Sequence, residues 1–191
     1  GAVAAIVDRP VRTARLVMDL SDPSRTMPSA WSLPLVIRTS STLTALHKIA
    51  AFWRRKFDDV RIIGITGSVG KTTTKELTAA VLSRRYETLK SQASYNNEIG
   101  LPLTLMGLTE AHERAVLEMG MYDVGEIADL ARIAQPHVGV VTIIGPVHME
   151  RAGSLERIVK AKAELVEALP PAPEGIAILN YDDERVRGMA Q

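Results

Sequence analysis

With 191 residues, 46% of them hydrophobic, the chain is long enough for one domain with a real core, or for one domain plus a fragment. Its 23 Lys and Arg against 22 Asp and Glu leave a net charge of +1, which gives no electrostatic footprint for nucleic acid or an anionic membrane, so any anion must be held locally. The absence of cysteine excludes disulfides, thiolate catalysis and zinc ribbons and fits a reducing cytoplasm.

The chain starts at Gly1 inside a strand-like run, GAVAAIV, which predicts an excised piece of a longer protein. Short strands are expected at Ala2 to Val7 and Leu35 to Arg38, around a stretch, SDPSRTMPSAWSLP, that has the composition of loops. From Thr42 to Phe57 the apolar residues Leu43, Leu46, Ala50, Trp53 and Phe57 fall at helical spacing, which predicts a connecting helix. Beyond it strands alternate with helices: strand 60–66, helix 71–84, strand 86–90, helix 97–106, strand 114–119, helix 124–134, strand 138–144, helix 155–169, strand 175–180 and a last helix from near Asp183. Such alternation predicts an α/β fold with parallel strands joined by helical crossovers in three layers. Asp123 and Glu126 read as the N-cap and third-position partner of the helix after them. The most apolar stretch, 138–147, is too short to cross a bilayer, and the N-terminus lacks the pattern of a cleavable signal.

In RIIGITGSVGKTTTKELTAAVL an apolar strand turns through Gly67 and Gly70 directly into a helix whose apolar residues are Leu77, Ala80 and Val81. Glycines let successive backbone N–H groups converge on an anion, the helix N-terminus adds partial positive charge, and Lys71 supplies a full one. Thr72 offers a hydroxyl to Mg²⁺. The strict Walker pattern has glycine where Ile65 stands, so the general motif is incomplete.

A second signal needs no motif. Leu155, Ile158, Val159, Leu165, Val166 and Leu169 form one helical stripe with Lys162 in its middle, while Lys160 points elsewhere. A lysine there either snorkels to water, the commoner outcome, or is desolvated, which lowers its pKa and leaves an amine able to react.

Five segments, GITGSVGKTTTKE, NNEIGLPLTL, LEMGMYDVGEIADL, HMERAGSLERIVKAKAELV and GIAILNYDD, occur in this order. Together they resemble the central ATPase domain of the Mur ligases, most closely of the MurF type, over residues 42–191. The family's own loop is TGxxGKT, so Ile65 is ordinary there. The resemblance implies a three-layer domain of the P-loop type preceded by a remnant of an N-terminal α/β domain. Residues 1–41 would be the end of the UDP-substrate domain, 42–57 the connecting helix and 58–191 an incomplete ATP-binding domain, with the C-terminal domain absent.

The resemblance also implies roles. Lys71 would hold the β- and γ-phosphates of ATP, with Thr66, Gly67, Ser68, Val69, Gly70 and Thr73 completing the loop. Thr72, Glu118 and His148 would form the Mg²⁺ site, together with Lys162, the match to a lysine that the family carbamylates. Asn96 and Asn97 fall in a loop near the phosphates and the metal, although either could cap the next helix. Asn180 matches a residue near the adenine. The implied activity is ATP-dependent amide-bond formation through an acyl phosphate, joining D-alanyl-D-alanine to a UDP-muramoyl tripeptide in peptidoglycan precursor synthesis. The intact enzyme would be a cytoplasmic monomer without nucleic-acid partners or membrane insertion, and the fragment alone would not ligate. Another Mur-related or folylpolyglutamate-synthetase-like ligase and a non-catalytic nucleotide-binding module remain open.

Overall fold

Strand and helix patterns resolve into two separate parallel sheets in a computed structural model, which describes residues 3–13, 16–22, 24, 33–146 and 153–190. The chain divides into two compact units, Gly1–Ile49 and Ala50–Gln191. In the first, β1 (Ala4–Val7), β2 (Leu16–Asp19) and β3 (Leu35–Arg38) form a sheet in the order β1-β3-β2. The sequence reading has only the outer two of these in the chain; β2 is an addition. It is held by its register against β3, Val17 beside Val36 and Met18 beside Ile37, and by an Arg38–Asp19 ion pair at 3.1 Å.

The helix α1 (Thr42–Arg54) closes in a short 3₁₀ turn over Arg55–Phe57. Near its end Arg54 is buried but fully used: its guanidinium donates to the carbonyls of Ala134, Phe57 and Val60 at 2.9, 2.6 and 3.3 Å. A buried arginine of this kind is a staple, because each of its three nitrogens donates to a backbone carbonyl from a different point of the chain.

The second unit carries a five-stranded parallel sheet, order β5-β6-β4-β7-β8, built from β4 (Arg61–Thr66), β5 (Thr88–Lys90), β6 (Arg114–Glu118), β7 (Val138–Val141) and β8 (Ile176–Leu179). β4 is central, and the pleat splits its apolar residues between two faces. Ile63 and Ile65 pack with Val116 and with Ala79 of α2 (Lys71–Leu82). On the other face, Ile62, Ala115 and Leu117 pack with α3 (Gly100–Leu105), α4 (Glu126–Ala134) and α5 (Leu155–Glu167), through Leu101, Leu105, Ile127, Leu130, Ala161 and Leu165. Each fully buried Leu or Ile here contributes about 2 kcal/mol. Gly64 lets α5 approach closely, since a Cβ there would stand 2.9 Å from Leu165 Cδ1. The three-layer α/β reading therefore holds. The closing helix α6 (Glu184–Arg187) is only one turn, capped by Asp183.

The apolar residues of α2 are not its buried ones. Leu77, Ala80 and Val81 do not face the core; Leu77 is 64% and Val81 70% exposed. The buried positions are Lys75 and Ala79, so the helix is rotated to turn Lys75 toward the sheet. Among the described residues no helix is long and apolar enough to cross a membrane.

The strand order reverses at β4, with β6 and β5 on one side and β7 and β8 on the other. In parallel sheets such a switch point opens a crevice at the carboxyl ends of the strands, because the loops there diverge to opposite faces.

Candidate functional site

The loop between β4 and α2 lies at that crevice. Gly67 has φ +145°, and a Cβ on it would stand 1.9 Å from Thr142 Oγ1, so only glycine fits. Gly70, at φ +88°, starts the helix without a side-chain cap. The loop is pinned to the chain following β7: Ser68 N donates to Ile143 O (2.7 Å), Ser68 Oγ to Gly145 O (3.0 Å) and Thr142 Oγ1 to Val69 O (2.7 Å). Thr66 is buried and its hydroxyl donates to Met119 O at 2.9 Å, tying β4 to the end of β6. Val69 and Thr73 are exposed.

Lys71 folds back over its own loop, donating to Gly67 O at 2.9 Å. Burial holds its pKa below the usual lysine value, partly offset by Glu118. Glu118, at the end of β6, is 2% exposed, yet both its oxygens are engaged. Thr72 Oγ1 donates to Oε2 at 2.9 Å and Asn96 Nδ2 to Oε1 at 2.8 Å. The Glu118 amide donates to Ser91 Oγ at 3.2 Å.

The structure brings Lys71, Thr72, Asn96 and Glu118 together. Asn96 and Asn97 divide the two uses expected of them: Asn97 Oδ1 accepts from the amides of Ile99 (3.3 Å) and Gly100 (2.8 Å), capping α3. We expect Asn97→Ala to cost about 1 kcal/mol of stability, measured by denaturant melts, while weakening nucleotide affinity only slightly. Asn96→Ala should show the reverse pattern.

Lys162 is 2% exposed and lines a cavity of about 370 Å³ with Lys71, Asn96, Gly120, Tyr122 and Glu126. Its ammonium does not snorkel. Burial first, and the charge of Lys71 second, bring its pKa down to about 8. Two residues on, Glu164 turns away from the cavity and accepts from the amides of Gly125 (2.6 Å) and Ala128 (2.9 Å), placing a carboxylate from α5 at the N-terminus of α4. This corrects the expected cap of α4. The N-cap is Gly125 at φ +99°, Asp123 instead pairs with Arg157 at 2.6 Å, and Glu126 accepts from the amides of Tyr122 and Asp123.

Asn180 stands apart from this cluster. It borders a separate cavity of about 440 Å³ with Ile143, Asp182, Asp183 and Arg185, and its Oδ1 accepts from Asp182 N at 3.1 Å. Ile143 links the two places, because its carbonyl holds Ser68. His148 lies outside the described residues.

Could these residues hold Mg²⁺? Among the described residues no three His, Asp or Glu side chains cluster for a metal. Thr72 Oγ1 and Glu118 Oε2 nevertheless offer two hard oxygen donors beside a phosphate-type loop. That suits Mg²⁺, which takes one or two protein oxygens and fills its remaining positions with water and phosphate.

Lys75 was missed from the sequence. It is fully buried, donates to Ala93 O at 2.8 Å and lies 3.2 Å from Glu76 and 3.9 Å from Glu118. Its position, three residues after Thr72 and four before Ala79 on one helix face, was the available signal.

Comparison with known proteins agrees with this geometry. The Mur ligase middle domain family matches residues 65–191. The UDP-N-acetylmuramoyl-tripeptide–D-alanyl-D-alanine ligase of Synechocystis is 44% identical over 191 residues, all of this chain but 38% of the relative. That of Bacillus subtilis is 45% identical over 159 residues, 83% of this chain and 34% of the relative. A crystal structure of MurF from Acinetobacter baumannii superposes with TM-score 0.81 at 32% identity, covering 99% of this chain and 37% of the other. MurF ligase from Thermotoga maritima in complex with ADP gives TM-score 0.74 at 32% identity, covering 86% and 37%. The chain thus spans little more than a third of the length of these relatives. With its loop, switch-point crevice and buried glutamate arranged as described, the chain belongs to the Mur ligase family, and residues 65–191 are its middle domain.

Proposed function

We propose that the whole protein is a cytoplasmic ATP-dependent ligase of the MurF type, joining D-alanyl-D-alanine to UDP-N-acetylmuramoyl tripeptide. Residues 1–41 then belong to the UDP-substrate domain, 42–57 to the connector and 58–191 to the ATP-binding domain. The observation that carries this reading is the engagement of Glu118 by Thr72 and Asn96 directly beside Lys71 and the glycine loop. The names of the relatives supply the substrates.

The energetic problem of the reaction is to bring two anions, a carboxylate and the γ-phosphate of ATP, into contact. The carboxylate oxygen attacks the γ-phosphorus and ADP leaves. The amine of the dipeptide then attacks the acyl carbon, the amide forms, and phosphate and a proton are released. Lys71 offsets the repulsion on the phosphate side, in a crevice where low local dielectric strengthens its effect. Thr72 and Glu118 would hold Mg²⁺, which when bound neutralises phosphate charge. Asn96 keeps the Glu118 carboxylate aimed toward Thr72, and Asn180 would face the base end of the nucleotide.

Lys162 is suited to carbamylation. With a pKa of about 8, a usable share of its amine is neutral near pH 7.5. The neutral amine attacks carbon dioxide, forming one N–C bond and losing one proton. The product is an anion, so the repulsion between Lys162 and Lys71 becomes attraction.

The test is phosphate release by the full-length protein with Mg²⁺-ATP, UDP-muramoyl tripeptide and D-alanyl-D-alanine, omitting each in turn. Release that requires both co-substrates and yields the pentapeptide is the expected result. Turnover with neither, or only with another acid and amine, overturns the substrate assignment.

A further inference from the structure

We propose that Lys75 is a positioning residue of the phosphate and metal site, acting through Glu118 and through the chain segment 91–97. The inference rests on the reading of Glu118 as part of that site. An ammonium with no exposed surface is unfavourable unless its charge and its three protons are matched. Lys75 meets this demand with three groups from three different places. The Ala93 carbonyl accepts at 2.8 Å, the partly exposed Glu76 lies at 3.2 Å, and the buried Glu118 at 3.9 Å.

Each partner matters to the site. Ala93 has φ +44°, an unusual conformation for a residue with a Cβ, and must be held by its surroundings. It lies in the segment that presents Ser91 to the Glu118 amide, Asn96 to the Glu118 carboxylate, and Ser94 and Asn97 to the cavity wall. The backbone joins in as well, with Gly120 N donating to Asn96 O at 2.8 Å. Lys75 therefore ties three elements at one point: the phosphate-loop helix, the end of β6 and the 91–97 segment. It also gives the buried Glu118 a fixed countercharge on the side of Oε2, the oxygen that accepts from Thr72. Lys71 and Lys75 divide the work: the first lines the cavity, and the second lies outside that lining, beside the buried Glu118 carboxylate.

The experiment measures ADP affinity of the full-length protein by calorimetry, with Mg²⁺ and with EDTA, so that the gain due to Mg²⁺ is read without turnover. In Lys75→Met the gain should fall at least tenfold, with the EDTA affinity within about twofold of the parent. Lys75→Gln keeps a donor for Ala93 but no charge and should also lose the gain; it is the variant to read if Lys75→Met does not fold. Lys75→Arg, retaining the charge, should restore most of it. In a Glu118→Gln background, Lys75→Met should have no further effect on the gain, since both act through one carboxylate. A gain within twofold of the parent in the folded uncharged variants overturns the proposal, as does full additivity with Glu118→Gln. If the parent protein itself shows no Mg²⁺-dependent gain, the nucleotide-site reading fails instead.

Discussion

Lys162→Met unfolds at a higher temperature than the parent at pH 7 in carbon dioxide-free buffer, while the intact enzyme carrying it loses at least about 100-fold in phosphate release. The first half follows from burial. A lysine whose pKa falls from 10.5 to about 8 on folding is charged at pH 7 in both states, but in the folded state its charge is poorly solvated and faces Lys71. The penalty is about 3 kcal/mol, at ~1.4 kcal/mol per pKa unit. For a chain of this size that corresponds to roughly 5–10 °C in Tm. Methionine fills similar space without the charge. The pH dependence has a definite sign. Between pH 8 and 10.5 the unfolded chain binds more protons than the folded one, so the parent gains stability as pH rises through that window. The advantage of Lys162→Met is therefore complete below pH 8 and gone near pH 10.5. A variant less stable at pH 7, or an advantage that persists at high pH, contradicts the assignment of the penalty to charge. The second half follows from the cavity: methionine there has no amine to carbamylate and no charge to place beside Lys71.

In Glu118→Gln, phosphate release by the intact enzyme should fall by about 100- to 1,000-fold, with KM for ATP changed less than about threefold. The carboxylate is the acceptor for both Thr72 and Asn96, and an amide can accept from only one of them without turning a donor toward the other. Lys75 also loses its buried countercharge, which should cost about 1–3 kcal/mol of stability in denaturant melts. Thr72→Ser, which keeps the hydroxyl, should retain most of the activity. An active Glu118→Gln enzyme would remove the glutamate from the site.

Much of this was legible in the sequence because the signals were local or periodic. The glycine loop lies between an apolar strand and a helix, and Gly67 is required by a clash that any side chain would meet. Lys162 was visible because it interrupts an apolar stripe; the helix period says where it points, and only the packed neighbours could say that it does not reach water. β2 was not legible, since a four-residue strand is fixed by its partner β3 rather than by its own pattern. Lys75 was hidden for the opposite reason. A lysine on a helix reads as solvated, and its countercharge lies 43 positions later on a different strand, at Glu118. The same rotation of α2 leaves the apolar Leu77 and Val81 exposed. The misplaced cap at Asp123 has a similar origin, because the carboxylate at that helix end comes from Glu164, a residue of another helix.

That long-range cap has a mechanical consequence. Glu164 grips the first turn of α4 from α5, while Lys162 on the same helix faces the cavity whose wall includes Tyr122 and Glu126. α4 and α5 cannot slide past each other without stripping two amides from a buried carboxylate. They are clamped in one register at this point, so the spacing between Lys162 and the 122–126 wall is set by a single carboxylate rather than by the loops that join the two helices.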